Sequence, residues 1–254
     1  VGMSVGGVGL SRRQFLGAGA VLVATGAAMV GTSGSVSADT YGSGELGPWD
    51  RLNRLVSSDD QVRRVLAGDG VFMFGDSIGV QDGNALALRL TKLTGSALAV
   101  HNWSGQPAAA AVDALEAWSA KYGLPRRIVM AVGTNDIFKP PAFGPQVDRA
   151  LRIAGPARTV FWVNTQVSRT RESELVQRAD LRNSAWVNRQ LDDSARRHPN
   201  LTVVRWSEFL AEVKYPHRYL RDGLHTSVPL GQHWRNELIL RALRKVPDRP
   251  APKA

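Results

Sequence analysis

Five short, nearly continuous apolar runs punctuate the middle of this sequence: residues 71–74 (VFMF), 97–100 (ALAV), 127–132 (RIVMAV), 159–163 (TVFWV) and 201–204 (LTVV). An apolar run of about four to six residues without polar alternation is what a strand needs when both of its faces are covered. The stretches between the runs are long enough for crossover connections and carry helical patterning over 85–93, 108–118, 146–153 and 172–197, with a closing helix over 230–243. Strand and helix therefore alternate. That order predicts an α/β fold, a three-layer α/β/α sandwich with a five-stranded parallel sheet. One more helix is expected over 49–66, ahead of the turn signal Gly68-Asp69-Gly70.

All of these elements fall within residues 49–246, which make one domain. The flanks read differently. Ser11-Arg12-Arg13-Gln14-Phe15-Leu16 precedes a small, weakly apolar run over 15–30, and Gly34-Ser35-Val36-Ser37-Ala38 follows it. Paired arginines, a short apolar stretch and a Val-x-Ala site form the pattern of a twin-arginine signal peptide over 1–38, cleaved after Ala38. The run is interrupted by Gly17, Gly19, Thr25 and Gly26 and is shorter than the roughly 20 residues that span a bilayer. The expectation is a protein exported by the twin-arginine machinery, secreted or associated with the cell envelope, with no stable membrane insertion once the signal is removed. Residues 39–48 (DTYGSGELGP) read as a flexible linker and 247–254 (PDRPAPKA) as a disordered tail.

Composition removes several function classes. The chain has no cysteine, which excludes disulfides, cysteine-ligated metals and a cysteine nucleophile. Its net charge is +10, and losing residues 1–38 removes two arginines and no acid, so the domain itself stays at +8. No basic run exceeds two residues and no nucleic-acid module is recognisable, so a nucleic-acid partner is not expected. His101, His198, His217 and His233 lack metal-ligand spacing with acids; no metal and no cofactor are expected, and the protein is expected to be a monomer.

In parallel α/β sheets ligands bind beyond the carboxyl ends of the strands, so the residues just after each run carry the functional signal. The first run is followed by Gly75-Asp76-Ser77, where a serine at a strand-to-helix turn can face the crevice beside the backbone N–H groups of the helix start. A helix-capping serine would look the same. The second run leads into His101-Asn102-Trp103-Ser104-Gly105-Gln106, with a glycine whose backbone can approach a ligand, and the third into Gly133-Thr134-Asn135-Asp136, with an amide side chain at the same rim. After the fifth run lies Asp222-Gly223-Leu224-His225, in which a carboxylate three residues before a histidine can accept from Nδ1 and turn Nε2 outward as a base. Each segment alone is a common turn or cap. Together they supply nucleophile, oxyanion donors, base and orienter.

In these four blocks the sequence resembles the GDSL or SGNH hydrolases, over residues 70–245. The resemblance implies the flavodoxin-like SGNH fold and a serine hydrolase. Ser77 would be the nucleophile and, through its N–H, one oxyanion donor; Gly105 N–H and the Asn135 side chain would be the others. His225 would be the base and Asp222 its orienter. Ile78 stands where the family's first block has leucine, and the second block lacks a full consensus. The chemistry implied is attack of Ser77 Oγ on an ester carbonyl, an acyl-enzyme, and release by water, in a short-acyl esterase or deacetylase acting on a small ester or on acylated carbohydrate. An O-acyltransferase would use the same residues, with a sugar hydroxyl in place of water, and a non-catalytic envelope-binding protein is a third reading. Trp103, beside Gly105, is a candidate wall of the acyl or sugar pocket. Trp118, Trp186 and Trp234 are expected in the core, and Arg169, Arg171 and Arg221 as solvated loop charges.

Overall fold

A computed structural model describes residues 41–246 of the chain, so the signal over 1–38 and the tail over 247–254 lie outside the described residues. Six strands form one sheet: β1 (Arg54–Val56), β2 (Val71–Gly75), β3 (Leu98–Trp103), β4 (Arg127–Ala131), β5 (Thr159–Val163) and β6 (Leu201–Val204), in the order β1-β3-β2-β4-β5-β6. The five strands read from the apolar runs are parallel to one another. The sixth corrects the expected strand count: β1 pairs antiparallel with β3 at the edge, Leu55 opposite Asn102. The stretch 49–66 is accordingly not one helix. After β1, Ser58 caps α1 (Asp59–Ala67) by accepting from Gln61 N–H.

The remaining helices are α2 (Ser77–Thr94), α3 (Ala108–Tyr122), α4 (Phe143–Ala154), α5 (Glu174–Arg197), α6 (Trp206–Glu212) and α7 (Leu230–Arg244). Alternate strand residues face opposite layers. Phe72, Phe74, Ile128, Met130 and Trp162 pack with α1, α3, α4 and α5; Val71, Met73, Val129, Phe161 and Val163 pack with α2, α6 and α7. This is the expected three-layer α/β/α arrangement. Among the described residues no helix is long and apolar enough to cross a membrane.

Counting only parallel strands in chain order, the sheet runs 2-1-3-4-5, the flavodoxin-like order, in which connections leave β2 toward opposite sides and open a crevice beyond its carboxyl end. Ser77 stands at that point, two residues past Gly75.

Two sequence expectations fail on side-chain placement. Trp186 is 36% exposed, edge-on to Tyr41 rather than in the core, whereas Trp118 is buried and Trp234 stacks on Phe209. Within the stretch read as a flexible linker, Ser43 is buried, and Tyr41 and Ser43 are bonded to α5.

Candidate active site

The Ser77 corner is built by regular structure. The β2 chain, buried at every residue, ends at Gly75 and turns directly into α2, where Asp76 caps the helix by accepting from Ile78 N–H at 3.0 Å. Ser77 is the first helical residue, so its own N–H belongs to the orphan donors of a helix start. Asn102, fully buried on β3, donates to Gly79 O at 2.8 Å and fills the space that side chains at 75 and 79 would need; an added Cβ at Gly79 would lie 2.9 Å from Asn102 Cγ. This contact draws the first turn of α2 onto the sheet and fixes Ser77.

The second block closes on the first. Gln106 is buried and donates to Gly75 O at 2.6 Å, while its own carbonyl accepts from Asn135 Nδ2 at 3.1 Å. One amide hydrogen of Asn135 is thereby used for orientation, and the other remains for a ligand at the rim. Gly105 precedes Gln106 in the chain, at φ +79°, a left-handed backbone that favours glycine. A Cβ there would also meet Trp49 Cβ at 2.7 Å. Trp103 packs edge-on against Trp49, 5.4 Å between centroids, beneath the Arg54 guanidinium, so the aromatic pair forms the floor of the Gly105 turn. Asp136 joins the third block to the second: both of its oxygens accept from Ala108 N–H, capping α3 where Pro107 has no side-chain cap to offer. Burial pushes its carboxyl up to about 7, against the pull of the Ala108 N–H and with a further push from Asp76. Burial also raises Asp76, opposed first by the buried Arg235.

His225 arrives on a loop. An isolated antiparallel bridge joins Leu220 to Thr226, and the turn between them carries Asp222, Gly223 and His225. Asp222 Oδ1 accepts from the N–H of Leu224 (3.2 Å) and of His225 (2.8 Å), and its Oδ2 lies 2.8 Å from His225 Nδ1. Partial burial pushes the Asp222 carboxyl upward, but the His225 N–H, the His225 ring and the Leu224 N–H outweigh it and hold the group below its usual range. An ionised carboxylate can only accept, so Nδ1 carries the hydrogen and Nε2 is left to accept. His225 Nε2 is 2.9 Å from Ser77 Oγ. Two supports set that distance. Thr226, next to His225, donates to Asp82 of α2 at 2.9 Å, and on the other side Ser168 N–H and Thr170 N–H donate to Gly223 O (2.9 Å) and Asp222 O (3.0 Å).

The structure thus brings Ser77, His225 and Asp222 into one hydrogen-bonded chain and ties the segments of Gly105 and Asn135 to the Ser77 corner. Sequence reasoning assigned no role to Gln106, Asp136 or Arg169. The first two lie inside the four blocks; Arg169, expected as a solvated charge, is instead bound to buried Asp180, whereas Arg171 and Arg221 are exposed as expected. Among the described residues no group of three or more His, Asp or Glu side chains is set to hold a metal ion.

A scan of protein-family models matches none to this sequence, and a search of curated proteins finds no relative. Solved structures do share its fold. The C-terminal catalytic domain of Streptococcus pneumoniae peptidoglycan O-acetyltransferase A, which carries a methylsulfonyl adduct, superposes with a TM-score of 0.57 at 19% identity, over 72% of this chain and 97% of that domain. A GDSL-like lipase from Bacteroides thetaiotaomicron gives 0.56 at 16% identity, over 75% and 92%, and a lipase/acylhydrolase from Enterococcus faecalis 0.54 at 18%, over 72% and 99%. The chain has the fold of the GDSL/SGNH hydrolases.

Proposed function

We propose that this chain is an SGNH-type serine hydrolase, an exported esterase or deacetylase that cleaves short acyl groups from carboxylic esters, including esters on envelope carbohydrate. The observation that carries this reading is the chain from Asp222 through His225 to Ser77, at 2.8 and 2.9 Å, standing at the crevice beyond β2. In the reaction His225 Nε2 takes the Ser77 proton as Oγ attacks the ester carbonyl. Asp222 stabilises the imidazolium, and the oxyanion is received by Ser77 N–H, Gly105 N–H and the remaining Asn135 hydrogen. As the tetrahedral intermediate collapses, the ester C–O bond breaks and His225 returns its proton to the departing alcohol; a water that His225 then deprotonates attacks the acyl-enzyme and frees the acid and Ser77. Trp103 would wall the acyl or sugar pocket next to Gly105. The residues suffice without a metal or cofactor, and the protein acts as a monomer. Export rests on Arg12-Arg13 and the run that follows; replacing both by lysine should trap the protein inside the producing cell, which fractionation reads directly.

A second reading, O-acyl transfer to a sugar hydroxyl, uses the same atoms and is supported by the likeness to the Streptococcus pneumoniae O-acetyltransferase domain. One experiment separates the two: p-nitrophenol release from p-nitrophenyl acetate by the purified protein and by Ser77→Ala. Sustained release by the parent alone is the expected result. A burst equal to the enzyme concentration followed by near-silence would mean an acyl-enzyme waiting for an acceptor. Equal traces from both proteins, for acetyl and for longer acyl esters, would overturn the serine-hydrolase reading.

A further inference from the structure

Arg169 lies in the loop between β5 and α5, and its two neighbours are the residues whose N–H groups hold the Asp222-Gly223 backbone. Its side chain turns the other way. The guanidinium meets Asp180 of α5, itself fully buried, with Nε on Oδ2 at 2.9 Å and Nη2 on Oδ1 at 2.8 Å, a two-pronged pairing, and the Arg169 backbone N–H adds a third bond to Oδ2 at 3.1 Å. The guanidinium also lies 5.0 Å over the Phe138 ring, in the turn that begins with Thr134 and Asn135. Its Nη2 donates as well to the carbonyl of Ser43.

Ser43 belongs to a docked strap, residues 41–44. Asn183 of α5 donates to Tyr41 O at 3.0 Å, Ser43 Oγ at 2.8 Å and Ile137 O at 2.9 Å, and Arg182 donates to Tyr41 O. Strap, α5, the Asn135 turn and the loop carrying acid and base therefore converge on Arg169 and Asn183. The point of convergence matters because the base loop has so little structure of its own: Gly223 passes so close to Ser168 that a Cβ would fall 1.8 Å from Ser168 O. Any movement of residues 168–170 is passed directly to Asp222.

We infer that Arg169 is a positioning residue for the acid-base loop, and that the strap 41–44 is part of the same device: Asp180 and the Ser43 carbonyl fix the guanidinium, the fixed side chain sets loop 168–170, and that loop sets Asp222 against His225. The inference rests on the serine-hydrolase reading. It gives the stretch just after the expected cleavage site a role in catalysis, since cleavage after Ala38 spares the strap and a cut a few residues further on removes it.

The test uses the full chain and four variants: Ser77→Ala, Arg169→Lys, the neutral pair Arg169→Gln with Asp180→Asn, and Gly42→Val. Lysine keeps the charge but not the fork. The neutral pair leaves no uncompensated buried charge and serves where the single variant does not fold. Gly42 has φ +77° and its Cβ would lie 3.1 Å from Ala179 Cβ, so valine there pries the strap from α5 without touching the site. Sites are titrated with a fluorophosphonate, and kcat and KM for p-nitrophenyl acetate are expressed per titrated site. Expected are a fall in kcat of about tenfold for Arg169→Lys and for the neutral pair, about threefold for Gly42→Val, and KM within about twofold throughout. Unchanged kcat per titrated site in these variants, with only the number of sites or the Tm reduced, would show a structural role and overturn the inference while leaving the hydrolase reading intact. A parent no more active than Ser77→Ala would overturn both.

Discussion

Ser77 and His225 meet at 2.9 Å, but the two sides of that contact are made differently. On the nucleophile side a strand buried at every residue runs into an eighteen-residue helix, and the position of Ser77 follows from strand pairing, a capping aspartate and the Asn102–Gly79 contact. On the base side only an isolated bridge and a tight turn surround His225, and its place is set by backbone bonds from residues 168–170 and by the Thr226–Asp82 bond. A defect on the first side must strain the core and should be read as lost stability. A defect on the second can leave the core intact and should be read as lost turnover.

The largest effect tests the base side. Asp222→Asn removes the acceptor that fixes the imidazole tautomer, so kcat should fall about 10⁴-fold with the fold preserved. Circular dichroism beside steady-state kinetics checks both halves, and a protein that melts many degrees earlier would erase the distinction. Next is Gly223→Ala. Its Cβ would sit 1.8 Å from Ser168 O, a backbone atom that cannot swing away, so the turn must open; a loss in kcat of about 10²-fold is expected with a minor change in Tm. The counterpart on the nucleophile side is Gly79→Val. Overpacking against buried Asn102 should cost about 2 kcal/mol, or roughly 4–8 °C in Tm, while kcat per titrated site falls less than it does in Gly223→Ala. If Gly79→Val lost turnover and Gly223→Ala lost stability, the division between the two sides would be wrong.

The same division decides what could be read from the sequence. The five parallel strands were legible because a strand covered on both faces must be apolar throughout, and Ser77, Asn135 and His225 because each lies a fixed step beyond a strand or beside its acid. β1 was not, since an edge strand of three residues with only Leu55 partly covered leaves no periodic trace and is absorbed into the helical pattern around it. α6, seven residues directly after β6, is too short to show a period. Trp186 illustrates the limit of an apolar-residue argument: it lies on a long helix but at the margin of the packed face, against Tyr41. Arg169 was illegible for a different reason. Its bond to the Ser43 carbonyl spans 126 positions and ends on a backbone atom, so neither partner's side chain advertises it. What regular structure builds is written locally, and what long-range contacts build is not.

Two acids carry opposite pH signatures on the two sides, and the smallest prediction uses them. Asp222 is held below its ordinary value of 3.8, so its stabilising contribution is complete above that pH and is lost only as pH falls through its lowered folded value; it is silent across neutrality. Asp136, buried where it caps α3 beside the nucleophile corner, is raised from 3.8 to about 7. Between those values the folded state holds a proton that the unfolded chain has released, so stability falls as pH rises and levels off above about 7. From pH 6 to pH 8 the loss should be about 1.4 kcal/mol. Asp136→Asn keeps an oxygen for Ala108 N–H and cannot ionise, so subtracting its urea-melt stabilities from the parent's cancels the titrating groups remote from Asp136 and leaves that decline together with its coupling to Asp76. A flat difference would mean that Asp136 is ionised in the fold and that the corner tolerates a buried charge. The expected slope would place the pH sensitivity of the fold on the nucleophile side, while the loop that carries the base stays insensitive until the solution is acid enough to protonate Asp222.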